Sequence, residues 1–93
     1  MRYEKDLKYN TDIQHYKSIP VQLIVRKDYP YKQAKRFTIN GTNQNVWIPN
    51  KHLMDDGTIR PGENIDYCFR RSRRQLEIAG ITWSIPGIKG QSL

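Results

Sequence analysis

Asn64-Ile65-Asp66-Tyr67-Cys68-Phe69-Arg70-Arg71-Ser72-Arg73-Arg74-Gln75-Leu76-Glu77-Ile78-Ala79 admits two backbone readings, and the fold class turns on which one holds. As a strand pair, Ile65, Tyr67 and Phe69 share one face, Leu76 and Ile78 share another, and the arginines occupy the loop between them. As a helix, Ile65, Cys68, Phe69, Ser72, Leu76 and Ala79 form one stripe, Asn64 is placed to cap and Gly80 to terminate. The helix leaves Tyr67 and Ile78 on its polar side; the hairpin lacks a glycine or asparagine in its turn. We read the hairpin, and with it a mainly β fold, a meander or open barrel of about five short strands. The alternative is an α+β fold with a basic amphipathic helix at 64–79.

The upstream sequence favours strands. Val21, Leu23 and Val25 alternate with Gln22, Ile24 and Arg26, a β-branched pattern of period two. Asp28-Tyr29-Pro30-Tyr31 carries turn chemistry, because proline presets φ. Ala34 to Ile39 reads as a second strand, with Arg36 and Thr38 opposite Phe37 and Ile39. Asn40-Gly41 is a hairpin signal, since both residues tolerate positive φ. Val46-Trp47-Ile48 follows as a third strand ended by Pro49, with Trp47 expected in the core. Asp56-Gly57 and Pro61-Gly62 add two more turns, which argues against a long helix between 40 and 62. Residues 1–18, polar and dotted with tyrosines, read as an extended or partly disordered arm, and 19–93 as a single compact domain. The apolar tail 81–88, with Trp83, is expected to dock on that domain.

The chain has 93 residues, a formal charge of +7, a pI near 9.8 and 37% apolar residues. That length holds one core and no second domain. The charge predicts attraction to a polyanion, whether nucleic acid or an acidic protein. One cysteine, Cys68, excludes an intrachain disulfide, and neither His15 nor His52 sits in a metal-ligand spacing, so no metal or cofactor is expected. No stretch reaches membrane-spanning length, and the first residues lack the apolar run of a secretory leader; no membrane association and a cytoplasmic location are expected.

Charge is unevenly distributed. Arg26, Lys27, Lys32, Lys35 and Arg36 form one basic island against Asp28 alone, and Arg70, Arg71, Arg73 and Arg74 form a second without any acid among them. Between them lies a segment containing Asp55, Asp56, Glu63 and Asp66. Guanidinium remains charged at any biological pH and presents a planar fork of donors suited to phosphate oxygens. The two islands are therefore the expected nucleic-acid or anion contacts, for DNA or RNA. Tyr29 and Tyr31, interleaved with the first island, are candidate stacking rings. An inhibitor or adaptor that docks its basic face on an acidic host protein or nucleoprotein is the alternative.

Catalysis finds little support. The acids have no nuclease-like spacing, His52 has no nucleophile in matching context, and neither a phosphate-cradling glycine loop nor a dinucleotide fingerprint occurs. The expectation is a protein that is not an enzyme. Phe37-Thr-Ile-Asn-Gly-Thr-Asn-Gln-Asn-Val-Trp-Ile-Pro-Asn-Lys-His-Leu53 resembles hairpins in small β-rich proteins encoded by bacterial phages and mobile elements. That resemblance implies a compact β-rich accessory protein and carries no functional residue.

Overall fold

The computed structural model describes residues 8–81. Four strands, β1 (Gln14–Tyr16), β2 (Ile19–Leu23), β3 (Ala34–Ile39) and β4 (Asn45–Pro49), pair antiparallel with their neighbours in the order β1-β2-β3-β4. Among the described residues the meander therefore has four strands, and its sheet is open rather than closed into a barrel. Alternation puts Val21, Leu23, Phe37, Ile39, Val46 and Ile48 on one face, all buried. Gln22, Thr38, Arg36 and Trp47 fall on the other, with Gln22 opposite Thr38 and Arg36 opposite Trp47.

The 64–79 segment is helical, so the hairpin reading is overturned and the α+β alternative holds. Two short helices, α1 (Asp66–Arg71) and α2 (Arg73–Ile78), meet at Ser72. They cover the apolar sheet face with Ile65, Cys68, Phe69, Leu76 and Ala79, the stripe that the helical period marks. Phe69 stacks on Tyr16 with ring centroids 5.0 Å apart. The helix prevails because one face buries all five side chains, whereas a hairpin would have needed a tight turn built from arginines. Both ends are closed by local chemistry. Asn64 Oδ1 accepts the Asp66 N–H at 3.1 Å. At the far end Gly80, at φ +91°, donates to Glu77, and the Ile81 N–H reaches back to the Leu76 carbonyl, a Schellman arrangement. The Asn40 side chain adds a bond to the Ala79 carbonyl at 2.7 Å.

The segment read as an arm is in part built into the fold. Gln14–Tyr16 forms the edge strand β1, joined to β2 by a two-residue turn in which Lys17 (φ 49°) and Ser18 (φ 72°) both take positive φ. Neither is a residue type that announces such a turn. Tyr16 is buried; its hydroxyl donates to Asp66 and accepts the Ile65 N–H at 3.0 Å. Lys17 Nζ lies 2.9 Å from the same carboxylate. The first strand is thereby fastened to the start of α1. The expected docking of the tail falls largely outside the described residues, as does Trp83; Ile81 packs against the core.

Candidate nucleic-acid interface

The turn from β2 into β3 sets the upstream island. A 3-10 turn at Tyr29–Tyr31 carries Pro30 in its first positions, and Tyr29 points inward. Its hydroxyl donates to the Ile24 carbonyl and accepts the Arg36 N–H at 3.2 Å, which closes the loop. Burial is the main reason its phenol titrates above the ordinary value. Tyr29 is thus a core residue and not a stacking ring. Tyr31 is 88% exposed. Lys35 also departs from expectation: alternation along β3 puts it on the core side, where it is buried. Its ammonium donates to Asn50 Oδ1 at 2.9 Å and lies 5.6 Å from the Tyr29 ring centre. Burial pushes its pKa down.

Arg26 is committed to a partner. Its Nε and an Nη donate to the two oxygens of Asp28 at 2.9 and 3.0 Å, a fork-to-fork pair. That pair holds the Asp28 carboxyl below its ordinary range and raises the guanidinium. Lys32 approaches the same carboxylate at 4.0 Å. The held guanidinium sits 5.7 Å from the Trp47 ring centre. Trp47 itself is 43% exposed, on the solvent side of β4, and not in the core. The signal for this was available: Val46 and Ile48 both point inward, so period two sends Trp47 outward.

All four arginines of the downstream island are exposed along α1 and α2, and among the described residues no carboxylate forms an ion pair with Arg71, Arg73 or Arg74. Arg70 lies within electrostatic reach of Asp66. Arg71 is the residue through which the two islands meet. One groove of about 470 Å³ is lined by Arg36, Trp47, Arg71, Ser72 and Gln75 among others. A second, of about 520 Å³, is lined by Lys32, Gln33, Pro49, Lys51, Tyr67 and Arg71. Arg71 also lies 5.5 Å from the centre of the Tyr67 ring. Lys27, Arg73 and Arg74 line neither groove. Lys51, Tyr67 and Trp47 join the face without having been read as part of it.

Tyr67 is held in place by a relay. His52 Nδ1 lies 2.8 Å from Glu63 Oε1 and His52 Nε2 lies 2.7 Å from the Tyr67 hydroxyl. A carboxylate accepts only, so His52 donates to Glu63 through Nδ1, and its Nε2 meets the phenol oxygen. Burial is the main reason the Tyr67 phenol titrates above its ordinary value. Two other acids of the segment between the islands are also occupied. Asp56 accepts the Thr58 N–H at 2.9 Å, and Asp66 takes the Tyr16 and Lys17 donors. Among the described residues no group of three or more His, Cys, Asp or Glu could hold a metal ion. Cys68 is buried, which pushes its thiol up. Among these residues, too, no helix is long and apolar enough to cross a membrane.

Compared with known proteins, the chain matches no family model, no curated protein and no solved structure. The geometry of the basic face therefore carries the functional argument.

Proposed function

We propose that this is a non-catalytic accessory protein that binds nucleic acid through the face centred on Arg71. The resemblance of residues 37–53 extends the proposal to an origin in a phage or mobile element. The observation that carries it is the convergence of two basic segments, far apart in sequence, on adjoining grooves that share Arg71. Lys32, Arg36, Lys51 and Arg71 line these grooves. Like charges gathered in this way repel unless a polyanion offsets them. Guanidinium and ammonium donors at Arg36, Arg71, Lys32 and Lys51 match phosphate oxygens. Arg70, Arg73 and Arg74 extend the positive surface along the helices.

Fluorescence anisotropy with labelled random-sequence oligonucleotides, over a salt series from 50 to 300 mM, tests the proposal. Four neutralised phosphates give a log–log salt slope of about −3 to −4. Micromolar binding at 50 mM salt with that slope is the expected result. Failure to bind either single-stranded or duplex oligonucleotide at 50 mM salt refutes it.

A further inference from the structure

The solvent face of β4 presents an aromatic ring between cations. Trp47 lies opposite Arg36 in the β3–β4 register, and the Arg26 guanidinium, locked by Asp28, borders its ring. The groove beside it continues to Arg71 on α1. Two residues further along β4, Pro49 lines the second groove, with Lys32, Lys51 and Arg71. We infer that this face holds a single strand, with one base stacked on Trp47 and the adjoining phosphate in the groove between Lys32, Lys51 and Arg71. The inference rests on the nucleic-acid reading above and adds the form of the ligand.

Three observations carry it. Trp47 is 43% exposed with the Arg26 guanidinium over its ring, 5.7 Å from the centre, so a flat base would take the exposed ring area that Arg26 does not cover. In a duplex the base faces are covered by their neighbours, so a ring that stacks on a base selects an unpaired strand. The spacing agrees. Trp47 and Pro49 are two strand residues apart, about 6.7 Å along β4. Stacked bases in a duplex rise about 3.4 Å per nucleotide on each strand. Neighbouring subsites at roughly twice that spacing fit an extended, unstacked backbone. The cations on either side would follow its phosphates, which is the combination of stacking platform and charged track that single-strand binders use.

The full chain and its Trp47→Ala and Trp47→Phe variants are titrated with a labelled 12-nucleotide oligothymidine and with a 20-base-pair duplex at 50 mM salt. Trp47 is on the solvent face, so both variants are expected to keep the wild-type circular dichroism spectrum. The single strand should bind more tightly than the duplex. Trp47→Ala should weaken the single strand about 5- to 150-fold, the loss of one stacked base, and weaken the duplex by a clearly smaller factor. Trp47→Phe, which keeps a flat ring, should recover most of the affinity. Duplex binding equal to or tighter than single-strand binding overturns the inference, as does an unchanged single-strand affinity in Trp47→Ala; either leaves nucleic-acid binding standing. Binding to neither oligonucleotide overturns both, and leaves the basic face to an acidic protein.

Discussion

Replacing Tyr16 by Phe removes one oxygen atom from the junction between β1 and α1, and the consequence can be worked out from its contacts. The hydroxyl donates to the buried Asp66 carboxylate and accepts the N–H of fully buried Ile65. A hydrogen bond to a charged group contributes about 1.5–3 kcal/mol, and an orphaned buried N–H costs about 1–3 kcal/mol. The ring and its stack on Phe69 remain, so no cavity term is added. A net loss of about 3 kcal/mol follows, a large share of the about 5–10 kcal/mol expected for a chain of this size. With a urea m-value of about 1–1.5 kcal/mol/M, the midpoint should fall by about 2–3 M, with m unchanged. A second readout is pH. Burial, then the bond to Asp66, raises the Tyr16 phenol from 10.0 to about 12. A pKa raised in the folded state stabilises fully below the unfolded value and is lost as pH rises through the folded one. The wild type should therefore lose about 2–3 kcal/mol between pH 10 and 12, at about 1.4 kcal/mol per unit, and Tyr16→Phe should lack that part of the decline. A fall of under 0.5 kcal/mol at pH 7, or the same alkaline decline in both proteins, would refute the reasoning.

Other perturbations test separate features. Ser18→Gly relieves a positive φ in the β1–β2 turn and should raise stability by about 0.5–1 kcal/mol in urea melts. Gly57→Ala should lower it by about 2–4 kcal/mol, because the added Cβ would sit 2.8 Å from Leu23 Cδ2 at φ +92°; thermal unfolding reads this directly. Acid should weaken the β1–α1 junction: burial alone would raise the Asp66 pKa, but the Tyr16 and Lys17 donors outweigh it and hold the carboxyl below 3.8. That stabilisation is complete above the unfolded value and is lost as pH falls through the folded one, so Asp66→Asn should flatten the loss of urea midpoint between pH 5 and 2. Arg71→Gln should reduce the oligonucleotide salt slope by about 1, while Lys35→Met, at a buried ammonium, should leave the slope unchanged.

The sheet was legible because its strands announce themselves locally. Ala34 to Ile39 alternates in period two, Asn40-Gly41 turns with both residues at positive φ, and Val46 and Ile48 bracket the return strand. β1 was not legible, since Lys17 and Ser18 turn without glycine or asparagine and the strand is tied down through Lys17 by a carboxylate 49 residues away. The helix was visible as a stripe, yet Tyr67 and Ile78 fit the rival strand pattern equally well. Only burial of that stripe on the sheet separates the two. Within the candidate site, the basic residue types were readable but their surroundings were not. Arg26 and Asp28 are two residues apart, and nothing in that spacing says that the pair will edge a tryptophan. Tyr29 and Lys35 were misplaced for one reason: the sequence pattern does not show that the loop before β3 turns its tyrosine inward over the lysine. Trp47 needed only strict alternation through Val46 and Ile48.

The five residues from Arg70 to Arg74 form one run of charge in the sequence but two rigid pieces in space. Ser72, at φ −100° and ψ 25°, stands between the helices and caps neither with its side chain. The outer ends are fastened, at Asp66 by Tyr16 and Lys17 and at Ala79 by Asn40. The directions of Arg70-Arg71 and of Arg73-Arg74 are therefore set separately, by Cys68 and Phe69 packing one helix on the core and Leu76 and Ala79 packing the other, with one serine as the joint.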